Sequence, residues 1–311
     1  MVKLSFIIPC YNEEENIFRF YDATKQALKN VDYEYEFVFI DDGSEDDTLS
    51  QLKELHSSKS DKIKVARFSR NFGKEAAIFC GLKYASGEYI TMIDVDLQQN
   101  PEIVMKKVEI LEKNKEIDCV CAYQEIRKES RFKTLCKKTF YSLINRFSET
   151  EFVQGASDFR TFRRKIALAV LNVDEYHRFS KGIFSWVGFN THYISYKVEN
   201  REYGDSKWSG FKLFKYAIEG IISFTTVPLK VATATGLFSA FTALLYSIFV
   251  FFQKLFYSIE IPGYATLVIL ILLLGGLQLF SIGIVGEYIA RIYIQTKKRP
   301  IYITSELIEY E

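Results

Sequence analysis

Two stretches near the end of the chain, Val231–Phe252 and Gly263–Gly286, contain no charged residue. Each is long enough to cross a bilayer. The second runs Leu-Val-Ile-Leu-Ile-Leu-Leu-Leu through its middle. Core helices of soluble domains are seldom apolar on every side over such a length, so the pair is expected to form two membrane spans. The linking segment Gln253–Pro262 is short, which makes the pair an antiparallel hairpin. Lys207, Lys212, Lys215 and Lys230 precede the first span, and Arg291, Lys297, Lys298 and Arg299 follow the second. The loop has only Lys254 against Glu260. This asymmetry predicts that both termini lie in the cytoplasm. Just ahead of the hairpin, Phe211–Phe224 sets Lys212, Lys215 and Glu219 among large apolar residues, the pattern of a helix lying in a membrane interface.

The remainder is polar and alternates β-rich with helical runs. Strands are expected at Lys3–Pro9, Tyr35–Ile40, Ile63–Phe68, Tyr89–Ile93 and Ile117–Tyr123. Helices are expected at Asn12–Lys29, Asp46–His56, Lys74–Ala85 and Pro101–Asn114. The first is read as opening on an Asn cap with three glutamates in its first turn, which suits the helix dipole. This rhythm implies an α/β, Rossmann-like domain with a mainly parallel sheet, whose ligands bind beyond the carboxyl ends of the strands. Further on, a basic amphipathic helix is expected over Arg131–Ser148, a short strand over Ser157–Phe162, helical segments at Lys165–Leu171 and Gly182–Trp186, and a strand at Tyr193–Val198. A net charge of +1 gives no reason to expect nucleic acid as a partner. The five cysteines form no zinc-like pair of pairs and read as buried free thiols of a reducing compartment. The N-terminus runs directly into a strand pattern without the n-region and h-region of a signal peptide, so the polar part is expected in the cytoplasm.

The chemistry concentrates where strands end. Tyr89–Ile93 leads into Asp94-Val95-Asp96-Leu97-Gln98. Ionised carboxylates cannot be buried unpaired, so they mark the end of the strand. Asp94, Asp96 and Gln98 are hard-oxygen ligands suited to Mg²⁺ or Mn²⁺, which most often serve a substrate phosphate. Tyr11-Asn12-Glu13 and Asp41-Asp42 also follow strands and should converge on the same rim.

Several blocks resemble family 2 glycosyltransferases of the GT-A fold, in particular the polyprenyl-phosphate glycosyltransferases that include dolichyl-phosphate mannose synthase and bactoprenol glucosyltransferases. They are Phe6-Ile7-Ile8-Pro9-Cys10-Tyr11-Asn12-Glu13-Glu14, Ile40-Asp41-Asp42-Gly43-Ser44, Ser69-Arg70-Asn71-Phe72-Gly73-Lys74, Asp94-Val95-Asp96-Leu97-Gln98 and Arg201-Glu202-Tyr203-Gly204-Asp205-Ser206-Lys207-Trp208. Their order and spacing, with the terminal hairpin, carry the resemblance. It implies that Pro9, Tyr11 and Glu13 hold a nucleotide base, and that Asp41 and Asp42 accept the uracil imide or ribose hydroxyls. Arg70 and Lys74 would lie near the nucleotide. Asp94 and Asp96 match the DXD motif that binds the metal of the nucleotide-sugar, with Gln98 beside it. Asp158 falls at the family's candidate catalytic acid; its role against an already ionised acceptor phosphate, base or electrostatic, stays open. Cations for that phosphate are Arg127, Arg131, Arg178, Arg201 and Lys207. Relatives often carry Arg where this chain has Gln124, and Arg127 is placed to cover the loss. Trp186 is read as stacking on sugar or sitting at the interface, and Trp208 as part of an interfacial aromatic belt.

The expected organisation is a cytoplasmic glycosyltransferase domain over residues 1–208, an amphipathic juxtamembrane helix over 209–228, the hairpin over 229–290 and a cytoplasmic tail over 291–311. The expected activity is metal-dependent, inverting transfer of a hexose, first of all from UDP-glucose, to undecaprenyl phosphate or a similar polyprenyl lipid at the plasma membrane. The hairpin and amphipathic helix also offer surfaces for a homo-oligomer. A processive polysaccharide synthase is the rival enzyme, but it would carry a Gln-x-x-Arg-Trp motif, which this chain lacks. The rival from another class is a catalytically silent membrane scaffold that only binds nucleotide-sugar.

Overall fold

The computed structural model describes residues 2–124, 145, 156–196, 225–257 and 263–310. Arg127, Arg131, Arg201, Lys207, Trp208, Cys136, most of the basic helix and the expected interfacial helix lie outside the described residues. The chain divides into two compact units, residues 1–220 with 299–311, and residues 221–298.

The first unit is built on one eight-stranded sheet in the order β7-β5-β6-β4-β1-β2-β3-β8. Its first half alternates strands and helices: β1 (Leu4–Cys10), α1 (Ile17–Ala27), β2 (Tyr35–Asp41), α2 (Thr48–Ser58), β3 (Lys62–Phe68), α3 (Lys74–Tyr84), β4 (Tyr89–Met92) and α4 (Glu102–Lys113). There follow β5 (Cys119–Gln124), β6 (Ala156–Arg163), α5 (Arg164–Leu171), α6 (Ser180–Trp186), β7 (Thr191–Tyr196) and, after the second unit, β8 (Thr304–Ile308). The expectation of an α/β domain with mainly parallel strands holds. β4, β1, β2 and β3 form a parallel core, and β5 runs parallel to β7. Strands covered on both faces read as continuous apolar runs, and all seven residues of β1 except Pro9 are buried. The edge strand β8 alternates instead between half-buried and exposed positions. On one face of the sheet Phe6, Phe20, Phe37, Phe39 and Val104 form the main core. On the other, Val38, Ile40, Phe68, Ala77 and Cys80 form a smaller one. α3 lies so close to β1 that a Cβ on Gly81 would meet Ile7 Cγ2 at 2.2 Å. Cys10, Cys80, Cys119 and Cys121 are buried free thiols.

Three features depart from the alternation read in the sequence. First, α1 starts only at Ile17, with Glu13, Glu14 and Glu15 in the preceding loop and Asn12 at φ 53°. The loop is laced to the one after β2, so its polar groups are engaged before a helix can form. Asn12 N–H donates to Ser44 Oγ, Glu13 N–H to Thr48 Oγ1, and Asp47 N–H to Glu14 Oε2, at 2.9–3.0 Å. Second, β6 enters the sheet antiparallel to both β4 and β5. Third, the segment read as a tail contains β8, paired antiparallel with β3.

The second unit contains α7 (Val227–Tyr257) and α8 (Tyr264–Thr296), both long and apolar enough to cross a membrane. Their mean hydropathies over Val227–Gln253 and Ile269–Thr296 are 1.8 and 2.3. Large side chains such as Phe238, Phe256, Leu272 and Leu279 are exposed all round the pair. Hydroxyls within them are satisfied by the carbonyl one turn back, as with Thr235 on Val231, Thr242 on Phe238, Ser247 on Ala243 and Ser281 on Leu277. Such back-bonding satisfies these hydroxyls without water.

Candidate active site

The parallel core sets four loops side by side at the carboxyl ends of β4, β1, β2 and β3. Cys10, Asp41 and Arg67 are register partners across the last three strands, and Ile93 N–H still donates to Ile7 O at 3.1 Å as β4 runs out. All the charged residues singled out at these strand ends therefore share one rim, as expected for an α/β sheet. Tyr11 and Glu13 are half-buried in the loop after β1, and Glu13 accepts from the Asn16 side chain at 2.7 Å. Pro9 sits within β1, opposite Ile40.

The two aspartates after β2 do different work. Asp41 is fully buried; its Oδ1 accepts Ser44 N–H at 2.9 Å. Its Oδ2 lies 3.6 Å from Arg67 Nε, beyond hydrogen-bonding reach, and no described residue donates to it. Asp42 is also buried, but its carboxylate is engaged with the loop after β3. It accepts Phe72 N–H at 2.7 Å and Gly73 N–H at 2.9 Å. Burial pushes the Asp42 carboxyl up to about 6, against the pull of those two N–H groups. The close approach of the two loops requires Gly43. It has φ +71°, and a Cβ there would lie 2.5 Å from the Arg70 carbonyl carbon. Arg70 stays exposed, its guanidinium 4.1 Å from the centre of the Phe72 ring.

Lys74, the first residue of α3, joins two strand ends. Its Nζ lies 2.6 Å from Asp94 Oδ1 and 3.9 Å from Asp158 Oδ2. Asp158 comes to this rim because β6 is antiparallel. Arg160 pairs with Met92 at the end of β4, so Asp158, earlier in β6, projects past it. Asp158 Oδ1 is buried and receives no hydrogen bond from the described residues. Burial pushes the Asp158 carboxyl up, but Lys181, Lys74 and Arg160 outweigh it and hold the group below the usual carboxylate range. Burial likewise lowers the Lys74 ammonium, and Asp94 and Asp158 more than reverse this, leaving it raised.

The amide on Asp94 belongs to Gln99, beside the Gln98 singled out in the sequence. Gln99 is buried; its Oε1 accepts Asp94 N–H and its Nε2 donates to Asp94 Oδ2, both at 3.1 Å. Gln98 contributes its backbone N–H to Asp96 Oδ1 at 3.2 Å. The turn is tight, with Leu97 at φ 58°. Among the described residues no three His, Cys, Asp or Glu side chains form a complete metal cage. Two neighbouring carboxylates nonetheless fit the hard cation expected here, because Mg²⁺ is usually bound by one or two carboxylates with substrate phosphates and water completing its shell.

Arg178 is placed differently from its reading as a phosphate ligand. It is buried, donates to Val173 O at 2.6 Å and Val170 O at 3.2 Å, and stacks 4.2 Å over Phe79. Its donors thus go to backbone carbonyls at the end of α5 and just beyond it. Three participants went unread in the sequence. Arg67 on β3 flanks Asp41, and Glu75 Oε2 accepts both Ser180 N–H, at 2.8 Å, and Ser180 Oγ–H, tying α3 to α6. The third is Lys181, next to that tie. Charged residues following a glycine-closed loop were the available signal for Glu75; for Arg67 and Lys181 the sequence held none.

A family model described as Glycosyl transferase family 2 matches residues 5–171, and one described as GtrB C-terminal hairpin matches residues 227–292. The chain is 41% identical to CsbB of Bacillus subtilis (strain 168), named as a glycosyltransferase, over 97% of this chain and 91% of that one. It is also 41% identical to the bactoprenol glucosyl transferase of Shigella phage SfV, over 97% and 98% of the two chains. A solved glucosyl-3-phosphoglycerate synthase from Mycobacterium tuberculosis, in complex with UDP, is 18% identical over 70% of this chain and 76% of that one, with a TM-score of 0.45.

Proposed function

The chain belongs to glycosyl transferase family 2 and is a glycosyltransferase, and from that premise we propose that it transfers a hexose from a nucleotide-sugar, UDP-glucose first, to a polyprenyl phosphate at the cytoplasmic face of a membrane. The observation that carries this reading is the joining of Asp94 and Asp158 through Lys74. One cation stands between a carboxylate of the DXD turn and the carboxylate expected beside the reacting sugar. The near full-length similarity to a bactoprenol glucosyl transferase, hairpin included, supports the lipid acceptor.

The donor base would lie in the loops after β1 and β2, where Asp41 Oδ2 is a buried acceptor that receives no hydrogen bond from the described residues and suits an imide N–H. Asp42 holds the Ser69–Gly73 loop, and that loop delivers Lys74 to the diphosphate. Bound Mg²⁺ or Mn²⁺ would be held by Asp94 and Asp96 and would neutralise charge on the leaving diphosphate. An acceptor phosphate oxygen attacks the anomeric carbon in line, the bond from that carbon to the diphosphate oxygen breaks, and the diphosphate departs with the electron pair, inverting the centre. A phosphate monoester has its second pKa near 6, so at neutral pH the nucleophile is already largely ionised. Asp158, kept ionised by Lys181, Lys74 and Arg160, therefore has no proton to take. It stabilises the positive charge developing on the sugar ring.

The sheet supports the hairpin topology. β8 follows α8 in sequence yet pairs with β3, so the chain leaves one folded domain before α7 and returns to it after α8. Two spans would bring it back to the same side, and the basic residues Lys230, Arg291, Lys297, Lys298 and Arg299 support a cytoplasmic placement of that side.

Membranes containing the protein, incubated with polyprenyl phosphate and radiolabelled UDP-sugars, should yield chloroform-soluble label with UDP-glucose. EDTA or Asp96→Ala should abolish it. No lipid-linked label with any donor would refute the reading, and donor binding by calorimetry without turnover would favour the scaffold.

A further inference from the structure

After α8 the chain does not trail away; it is built into the wall of the site. β8 pairs with β3, with Ile308 opposite Val65 and Thr304 opposite Phe68. The two residues leading into β8 meet the loop that follows β3. Ile303 O accepts Ser69 N–H at 2.9 Å. The Tyr302 ring stacks on Phe68, with centroids 4.8 Å apart and planes 18° apart, and Phe72 meets Phe68 edge-on at 5.8 Å. Tyr302 also packs with the small core of Val38, Ile40, Ala76, Ala77 and Cys80 beneath α3.

The Ser69–Gly73 loop thus has two supports. Asp42 grips Phe72 N–H and Gly73 N–H from the β2 side, and Tyr302 with Ile303 grips Phe68 and Ser69 from the β8 side. The loop's backbone also packs on Gly43, but its outer side is open: Arg70 and Asn71 are exposed, and Gly73 adopts φ +98°. The next residue is Lys74, whose ammonium reaches Asp94. A shift of about 1 Å in a positioned group can cost on the order of a hundredfold in rate, so support for this loop is support for the reaction.

We propose that Tyr302 and Ile303 are positioning residues for the donor loop Ser69–Lys74, so that donor affinity depends on a strand reached only after the membrane hairpin. The proposal rests on the reading that this loop lines the donor site. It makes the polypeptide beyond α8 part of the catalytic domain.

The same strand supplies its own control. Tyr310 O–H donates to Glu36 Oε2 at 2.6 Å, a buried carboxylate that also takes hydrogen bonds from Ser5 and Ser86. Glu36 pairs with Lys62 at the start of β3. Tyr310 therefore anchors β8 at the opposite edge of the sheet from the loop after Phe68. Tyr302→Ala and Tyr310→Phe both weaken the anchoring of β8, and only the first touches the donor loop.

The full-length protein in nanodiscs would be titrated with UDP-glucose by calorimetry, assayed for transfer, and followed by hydrogen exchange over residues 69–73. Tyr302→Ala is expected to raise the donor Kd and donor KM about three- to tenfold, the scale of one lost aromatic pair. It should leave the acceptor KM at the wild-type value and speed exchange over 69–73. Tyr302→Phe, which keeps the stack, should restore donor affinity. Tyr310→Phe should lower Tm yet leave donor Kd unchanged. Unchanged donor affinity in Tyr302→Ala overturns the proposal, as does an equal loss in Tyr310→Phe. If the wild type binds no UDP-sugar, the donor reading fails, and the exchange data still decide whether Tyr302 supports the loop.

Discussion

Lys74 Nζ stands 2.6 Å from Asp94 Oδ1, at the start of a helix where a positive charge is disfavoured by the helix dipole. A cation in that position needs a partner, and it finds carboxylates from two different strand ends. On the proposed reading, a donor diphosphate would compete with Asp94 for the ammonium. Lys74→Met is expected to lower kcat/KM for transfer about 10²–10³-fold, the scale of one lost charge-stabilising donor. Lys74→Arg should retain part of the rate. Steady-state transfer in membranes checks this, and a wild-type rate in Lys74→Met would remove the ammonium from the mechanism.

Asp42 predicts a pH dependence of donor binding. Its folded-state value of about 6 lies above the ordinary 3.8, so the folded chain holds this proton more tightly. The group's contribution to stability is greatest in acid, weakens as pH rises through about 4 to 6, and levels off above that window. Function runs the other way, because protonation takes an acceptor from the Phe72 and Gly73 N–H groups. UDP-glucose affinity measured by calorimetry should fall as pH drops below about 6. In Asp42→Asn it should be weak and nearly independent of pH between about 5 and 8.

Glu75 ties α3 to α6 through Ser180, and burial together with Asp158 pushes its carboxyl up. Glu75→Gln keeps an oxygen for Ser180 N–H and should leave transfer within about fivefold of wild type, or about 1 kcal/mol. Glu75→Ala leaves that N–H unsatisfied at a cost of about 1–3 kcal/mol. It should lower Tm by several degrees and free the segment carrying Lys181, one of the charges that hold Asp158 ionised, so kcat for transfer should fall.

Lys107 is fully buried on α4, its Nζ 3.1 Å from the centre of the Phe159 ring and without a hydrogen-bond partner among the described residues. Burial drives its ammonium well below the ordinary 10.5. Between the folded and unfolded values the unfolded chain binds more protons, so the cost of this residue is greatest at the acid end of that window and falls as pH rises towards 10.5. Lys107→Met should therefore raise Tm by about 2–8 °C near pH 7, from about 1–2 kcal/mol of relieved burial. The gain should be smaller near pH 10. A thermal melt showing a lower Tm for Lys107→Met would assign the amine a partner.

The residues themselves determined the parallel core, the acidic strand ends and the two apolar helices. Apolar runs between glycine-marked loops, carboxylates that cannot enter a core, and charge-free stretches long enough to cross a membrane are local properties, readable without a fold. That reading placed Asp41, Asp94 and Asp96 on one rim, because parallel strands all finish at the same edge. Tertiary structure alone decided the rest. Strand direction is not encoded in a short apolar run, so only the antiparallel entry of β6 explains how Asp158 reaches Lys74. The division of labour between Asp41 and Asp42, the choice of Gln99 beside Asp94 and the burial of Arg178 depend on which backbone groups arrive from distant loops. β8 shows the limit most clearly. Thr304–Ile308 is a short half-polar segment whose pairing partner lies more than two hundred residues earlier, and only closure of the sheet over that separation turns a tail into a strand beside the loop after β3.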